Sequence, residues 1–156
     1  YMGDQDGDID YEYGSNYCTD YDEFLLTSFL NDIDSETNVE VNCTDVGNLF
    51  NIYSAALGCA SHSKRIWPSG YPYYFGTKEI DPIGSSFGWG AVTWSYHQYG
   101  WLDDKVDDAC IRIDKNGTPR VPTNMSQEDY EGYLIDPEVG ASPDESETYT
   151  TTIVEE

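Results

Sequence analysis

The chain has 156 residues, a length that suits one domain, and its 30 Asp and Glu against 7 Lys and Arg set a formal charge of −23. Such a surface repels phosphate backbones, which makes nucleic acids and anionic membranes poor partners. No stretch nears the roughly 18–20 apolar residues that a membrane-spanning helix needs.

Tyr1 precedes Met2, so a mature or excised piece of a longer protein is expected. The acidity and the 14 tyrosines favour a secreted protein, placed outside the cell or at its surface. Asn42, Asn116 and Asn124 each open an N-x-S/T tripeptide, a weak signal that matters only in a glycosylating host. Four cysteines stand at 18, 43, 59 and 110 with no C-x-x-C pair, which argues against a structural zinc site. Their pairing is open. Two disulfides would leave no nucleophile; a reactive Cys43 leaves at most one bridge and one spare thiol.

Residues 1–17 form an acidic segment without helical period. Asp4, Asp6, Asp8, Asp10 and Glu12 alternate there around Gly7, as oxygen ligands do in short calcium loops. Ile9 and Ser15 stand where an EF-hand loop needs glycine and a bidentate glutamate, so a solvated acidic linker accounts for the segment equally well.

The globular part spans residues 18–136. A first helix is expected over 20–31, with Phe24, Leu25, Phe29 and Leu30 on one stripe and Asp20, Asp22 and Glu23 at its positive end. Val39 and Val41 alternate with polar residues in a short extended lead-in. A second helix follows over 44–57, where Val46, Leu49, Phe50, Tyr53, Ala56 and Leu57 recur at helical spacing. Asn42 or Thr44 caps its start, and Gly58 stands where a left-handed C-terminal cap belongs. Cys43 therefore sits at the first turn. There the helix dipole and free N–H groups favour a thiolate and can face an oxyanion.

An extended run over 59–67 leads into a long aromatic segment, 68–90. Strands are expected over 91–99 and 106–113. Strand alternation puts Thr93, Ser95, His97 and Tyr99 on one face and Asp108, Cys110 and Arg112 on one face of its neighbour. A tight hairpin centred between Leu102 and Asp103 makes His97 and Asp108 direct cross-strand partners, close enough for the carboxylate to orient the imidazole. A bulge would give that role to Asp107 instead. His62 carries no assigned role. Beyond Asp114 the pattern fades, and residues 137–156 read as an acidic tail, a linker or a late edge strand over Tyr149–Val154.

Asn42-Cys43-Thr44-Asp45 with its helix, Ser95-Tyr96-His97, and Asp107-Asp108-Ala109-Cys110 occur in an order and spacing that resemble the transglutaminase-like (papain-like) domains, in particular bacterial members of secreted type. The resemblance covers about residues 20–114. It departs at Tyr99, where members often have tryptophan, and no tryptophan precedes Cys43. It implies an α+β fold with a nucleophile helix packed on an antiparallel β-sheet. The implied site is a Cys43–His97–Asp108 triad for acyl transfer or amide hydrolysis on protein or peptide substrates. No cofactor is required; Ca2+ on the acidic segment is an option that the alternating carboxylates, not the resemblance, leave open. Two other readings compete: a catalytically silent, calcium-binding module of an extracellular assembly, and a disulfide-stapled binding domain.

Overall fold

The computed structural model describes residues 9–11, 17–35, 39–85, 87–144 and 148–155. It is an α+β protein built of helices and several small, largely antiparallel sheets. Among the described residues, no helix is long and apolar enough to cross a membrane.

The first elements are β1 (Ile9–Tyr11), β2 (Cys18–Asp20) and β3 (Glu23–Phe24), followed by α1 (Leu26–Asp34) and β4 (Val39–Val41). The helix expected over 20–31 thus starts late. Asp20 accepts the Tyr21 N–H at 2.7 Å, and the chain turns at Tyr21–Asp22 into a β2–β3 hairpin. Short acidic side chains that bond neighbouring backbone favour such turns over helix. Of the expected stripe, Phe24 and Phe29 are fully buried, whereas Leu30 faces solvent.

Helix α2 (Cys43–Ala56) is capped as its sequence requires. Asn42 Oδ1 accepts the N–H groups of Thr44 (2.8 Å) and Asp45 (3.2 Å). In return Asp45 Oδ2 accepts the Asn42 N–H at 3.0 Å, completing a capping box. Gly58, one residue past the C-cap, has φ +83°. Residues 43–49 are all buried, and the helix then emerges until Tyr53 and Leu57 lie exposed.

Strands β5 (His62–Pro68), β6 (Phe75–Thr77) and β7 (Ile80–Pro82) come next; the last two arise inside the aromatic segment. The strand expected over 91–99 is two strands, β8 (Thr93–Trp94) and β9 (His97–Leu102), in different sheets. The next is also divided, into β10 (Lys105–Asp107) and β11 (Ile111–Asp114). Strand β9 lies between β5 and β10, with Ile66 opposite His97 and Arg65 opposite Gln98.

Helix α2 packs along β9. A Cβ at Gly47 would stand 3.0 Å from Gln98 Cγ, and one at Gly100 would overlap the Phe50 ring. Two missing side chains, one on each element, let helix and strand approach this closely.

The chain continues through β12 (Pro119–Arg120), α3 (Gln127–Leu134), β13 (Ile135–Gly140), β14 (Pro143–Asp144), β15 (Thr148–Tyr149) and β16 (Thr152–Ile153). The described part of the C-terminal stretch thus includes several short strands. β13 pairs with β6, β14 and β15 with β5, and β16 runs parallel to β3. Thr151 Oγ1 also donates to Asn48 Oδ1 of α2 at 2.6 Å.

Candidate active site

Cys43 occupies the first position of α2, and none of Cys43, Cys59 and Cys110 is in a disulfide. The Asn42 side chain takes the Thr44 and Asp45 N–H groups, and Asn42 O takes that of Val46 at 3.0 Å. The Cys43 N–H is thus outside the capping set, at the positive end of the helix.

His97, at the head of β9, is completely buried, as is Asp108 to within 1 %. His97 Nε2 donates to Asp108 Oδ2 at 2.8 Å. The same oxygen accepts the Tyr130 hydroxyl at 2.7 Å, and Oδ1 accepts the Cys110 N–H at 2.9 Å. Three donors converge on one carboxylate. Among the described residues the second ring nitrogen, Nδ1, has no hydrogen-bond partner. Cys43 lies near enough for its charge to raise the proton affinity of the ring. In a resting site a thiol–imidazole bond is often not yet made and forms around substrate.

Burial alone would lower the His97 pKa. The charge and hydrogen bond of Asp108, and then Cys43, outweigh burial and raise it to about 10. Asp108 is the mirror case: burial would raise its pKa, but His97, Tyr130 and the Cys110 N–H hold it below the ordinary carboxylate value. Trp94 stacks flat on the imidazole, centroids 4.3 Å apart and planes 12° apart, and its π-face favours the charged ring. Burial, Asp108 and Cys43 together push the Cys110 thiol well up, which makes it an inert neighbour.

The structure brings Cys43, His97 and Asp108 together, but the hairpin is not the expected one. It turns one residue later, on Asp103 and Asp104, both at positive φ (51° and 59°). Its register pairs Leu102 with Lys105 and Gly100 with Asp107. Aspartates tolerate the left-handed geometry of a two-residue turn, which sets that register. Directly opposite partnership of His97 and Asp108 is therefore not what forms the contact. The chain leaves the ladder after Asp107, the Asp108 N–H goes to Pro122 O at 2.9 Å, and the carboxylate reaches the ring diagonally. Asp107 instead accepts the Asn124 N–H at 3.0 Å.

Two neighbours of the site are not foreshadowed by the local sequence pattern. Trp94 belonged, by strict alternation, to the opposite face from His97; the break at Ser95–Tyr96 brings it over the ring. Tyr130 comes from α3, in a stretch beyond Asp114 where the sequence pattern fades. The pattern Ser126-Gln127-Glu128-Asp129, with Ser126 Oγ accepting the Asp129 N–H at 3.2 Å, is the signal that marks its start.

A cavity of about 300 Å3 opens beside Thr44 and Tyr96, lined also by Cys18, Thr19, Asp20 and Tyr21. Asn42 is buried and engaged as the helix cap, while Asn116 and Asn124 are exposed. Of the acidic residues read as calcium ligands, Asp4, Asp6, Asp8 and Glu12 lie outside the described residues, and Asp10 lies on β1 opposite Glu40. Among the described residues no group of three or more His, Cys, Asp or Glu is set to hold a metal ion.

No protein-family model matches the chain, and no curated protein or solved structure matches it either.

Proposed function

We propose that this is a cysteine-dependent acyltransferase or amide hydrolase of transglutaminase-like type, acting outside the cell on peptide-like substrates. One observation carries the reading: a buried His97 bonded at 2.8 Å to Asp108 and coupled by charge to a thiol at a helix start. His97 takes the Cys43 proton, and the thiolate attacks an amide carbonyl. The Cys43 N–H faces the resulting oxyanion. Collapse breaks the C–N bond, His97 returns its proton to the departing amine, and a thioester remains. Water or a second amine then attacks the thioester, again giving its proton to His97, and the thiol is restored. Asp108 holds the ring in the tautomer this sequence needs. The cavity beside Thr44 supports approach of an acyl group from that side.

The silent-module reading is favoured by one fact, the closure of the site: Cys43 is 7 % exposed and His97 not at all. An acyl trap separates the two. p-Nitrophenyl acetate is expected to place one acetyl group on Cys43, seen by peptide mass. Methylamine shortens the life of that adduct, and His97→Ala abolishes it. Acetylation of the exposed Cys59 with none on Cys43 would leave the silent module as the better account.

A further inference from the structure

We infer that Arg65 is the buried counter-charge of the Cys43 thiolate, a positioning residue that supports the site from beneath α2. The inference rests on Cys43 being the nucleophile. Arg65 has no solvent exposure, and among the described residues it pairs with no carboxylate. Its Nε and Nη2 both donate to the neutral Gln98 Oε1, the first at 3.0 Å, and its buried Nη1 has no hydrogen-bond partner among the described residues.

The guanidinium is boxed by aromatic rings. It lies 3.6 Å from the Tyr21 centroid, 4.6 Å from Tyr96, 5.1 Å from Trp67 and 5.3 Å from Tyr149. Those π-faces offset part of the desolvation, but they supply no net negative charge. Burying an unpaired cation is expensive, and proteins keep one where an anion will appear.

Two contacts tie this cation to the nucleophile. Gln98, which holds the guanidinium, packs against Gly47 one turn after Cys43. Tyr96, one wall of the box, meets Thr44 Oγ1 through its hydroxyl at 3.2 Å, beside Cys43. In keeping with this, burial lowers the Arg65 pKa, and Tyr96, Tyr149, Cys43 and Tyr21 oppose the fall. The titratable groups facing the thiol are His97, with Asp108 behind it, Cys110 and Tyr96. Of all these groups Arg65 alone keeps its positive charge at every working pH. His97 supplies a proton and a charge that moves with it; Arg65 supplies a fixed one.

The test is the pH profile of Cys43 alkylation by iodoacetamide in the full chain, read by peptide mass. Arg65→Met is expected to move the half-plateau up by about one pH unit, a tenfold slower reaction at pH 6. Arg65→Lys is expected to restore most of the profile. If R65M does not fold, Gln98→Glu gives the guanidinium a carboxylate of its own and is expected to shift the profile in the same direction. A profile unchanged in R65M, or in Q98E where that is the variant used, overturns the inference. The His97→Ala chain keeps the two claims apart. If wild-type alkylation does not depend on His97, the nucleophile reading itself fails. If it does depend on His97 and not on Arg65, only the counter-charge is lost.

Discussion

Asp108→Asn tests the electrostatic centre of the site with one atom changed. In the native protein one carboxylate serves three donors, two of them on Oδ2. An asparagine has a single acceptor oxygen. If its amide nitrogen points to the Cys110 N–H, two donors face each other. If it points to His97 and Tyr130, the ring must change tautomer and the tyrosine must turn acceptor. Each buried donor left unsatisfied costs about 1–3 kcal/mol, so a loss of roughly 2–5 kcal/mol is expected, measured by urea denaturation at pH 7. The charge goes with it. Burial then dominates at His97, the ring is neutral at pH 7, and Cys43 alkylation at pH 6 falls at least about tenfold. A D108N chain within about 0.5 kcal/mol of the wild type, with an unaltered alkylation profile, would refute this reasoning.

Three further outcomes follow from the same geometry. The His97 pKa is raised from 6.5 to about 10, so its contribution to stability is full below pH 6.5 and is lost as pH rises towards 10. Urea unfolding should weaken across that window in the wild type and weaken less in His97→Gln; parallel curves would contradict the raised value. Asn42→Ala removes the side chain that caps two N–H groups of α2 and should cost about 1–2 kcal/mol, checked by thermal unfolding, with no loss being the contrary result. Gly100→Ala forces a methyl group into the Phe50 ring and should destabilise by about 1–3 kcal/mol; an unchanged denaturation midpoint would show that helix and strand separate freely.

The local features of this protein could be read from sequence because their causes are local. Asn42, Asp45 and Gly58 determine the limits of α2 through hydrogen bonds and a backbone angle that depend on immediate neighbours. The order of Cys43, His97 and Asp108 was readable for the same reason. What depends on distant packing was not. A strand pattern over 91–99 does not show that the chain changes sheets at Ser95–Tyr96, which is what lays Trp94 on His97. In α3 only Tyr130 and Leu134 are buried, too few apolar positions to make a period, so the donor to Asp108 stayed hidden. Arg65 reads as a charged residue in a strand, and nothing local says that four aromatic rings from separate parts of the chain enclose it. The hairpin shows the opposite error. The pairing was expected from symmetry alone, and the left-handed angles of Asp103 and Asp104 moved it by one residue.

The central claim is that a thiol 7 % exposed is nonetheless the reactive one, because His97 and Asp108 stand behind it. Timed iodoacetamide labelling at pH 6 compares Cys43 directly with Cys59, which is exposed. The account predicts that Cys43 is labelled first and that His97→Ala reverses the order. Labelling of Cys59 first in the wild type, with Cys43 indifferent to His97, would contradict it.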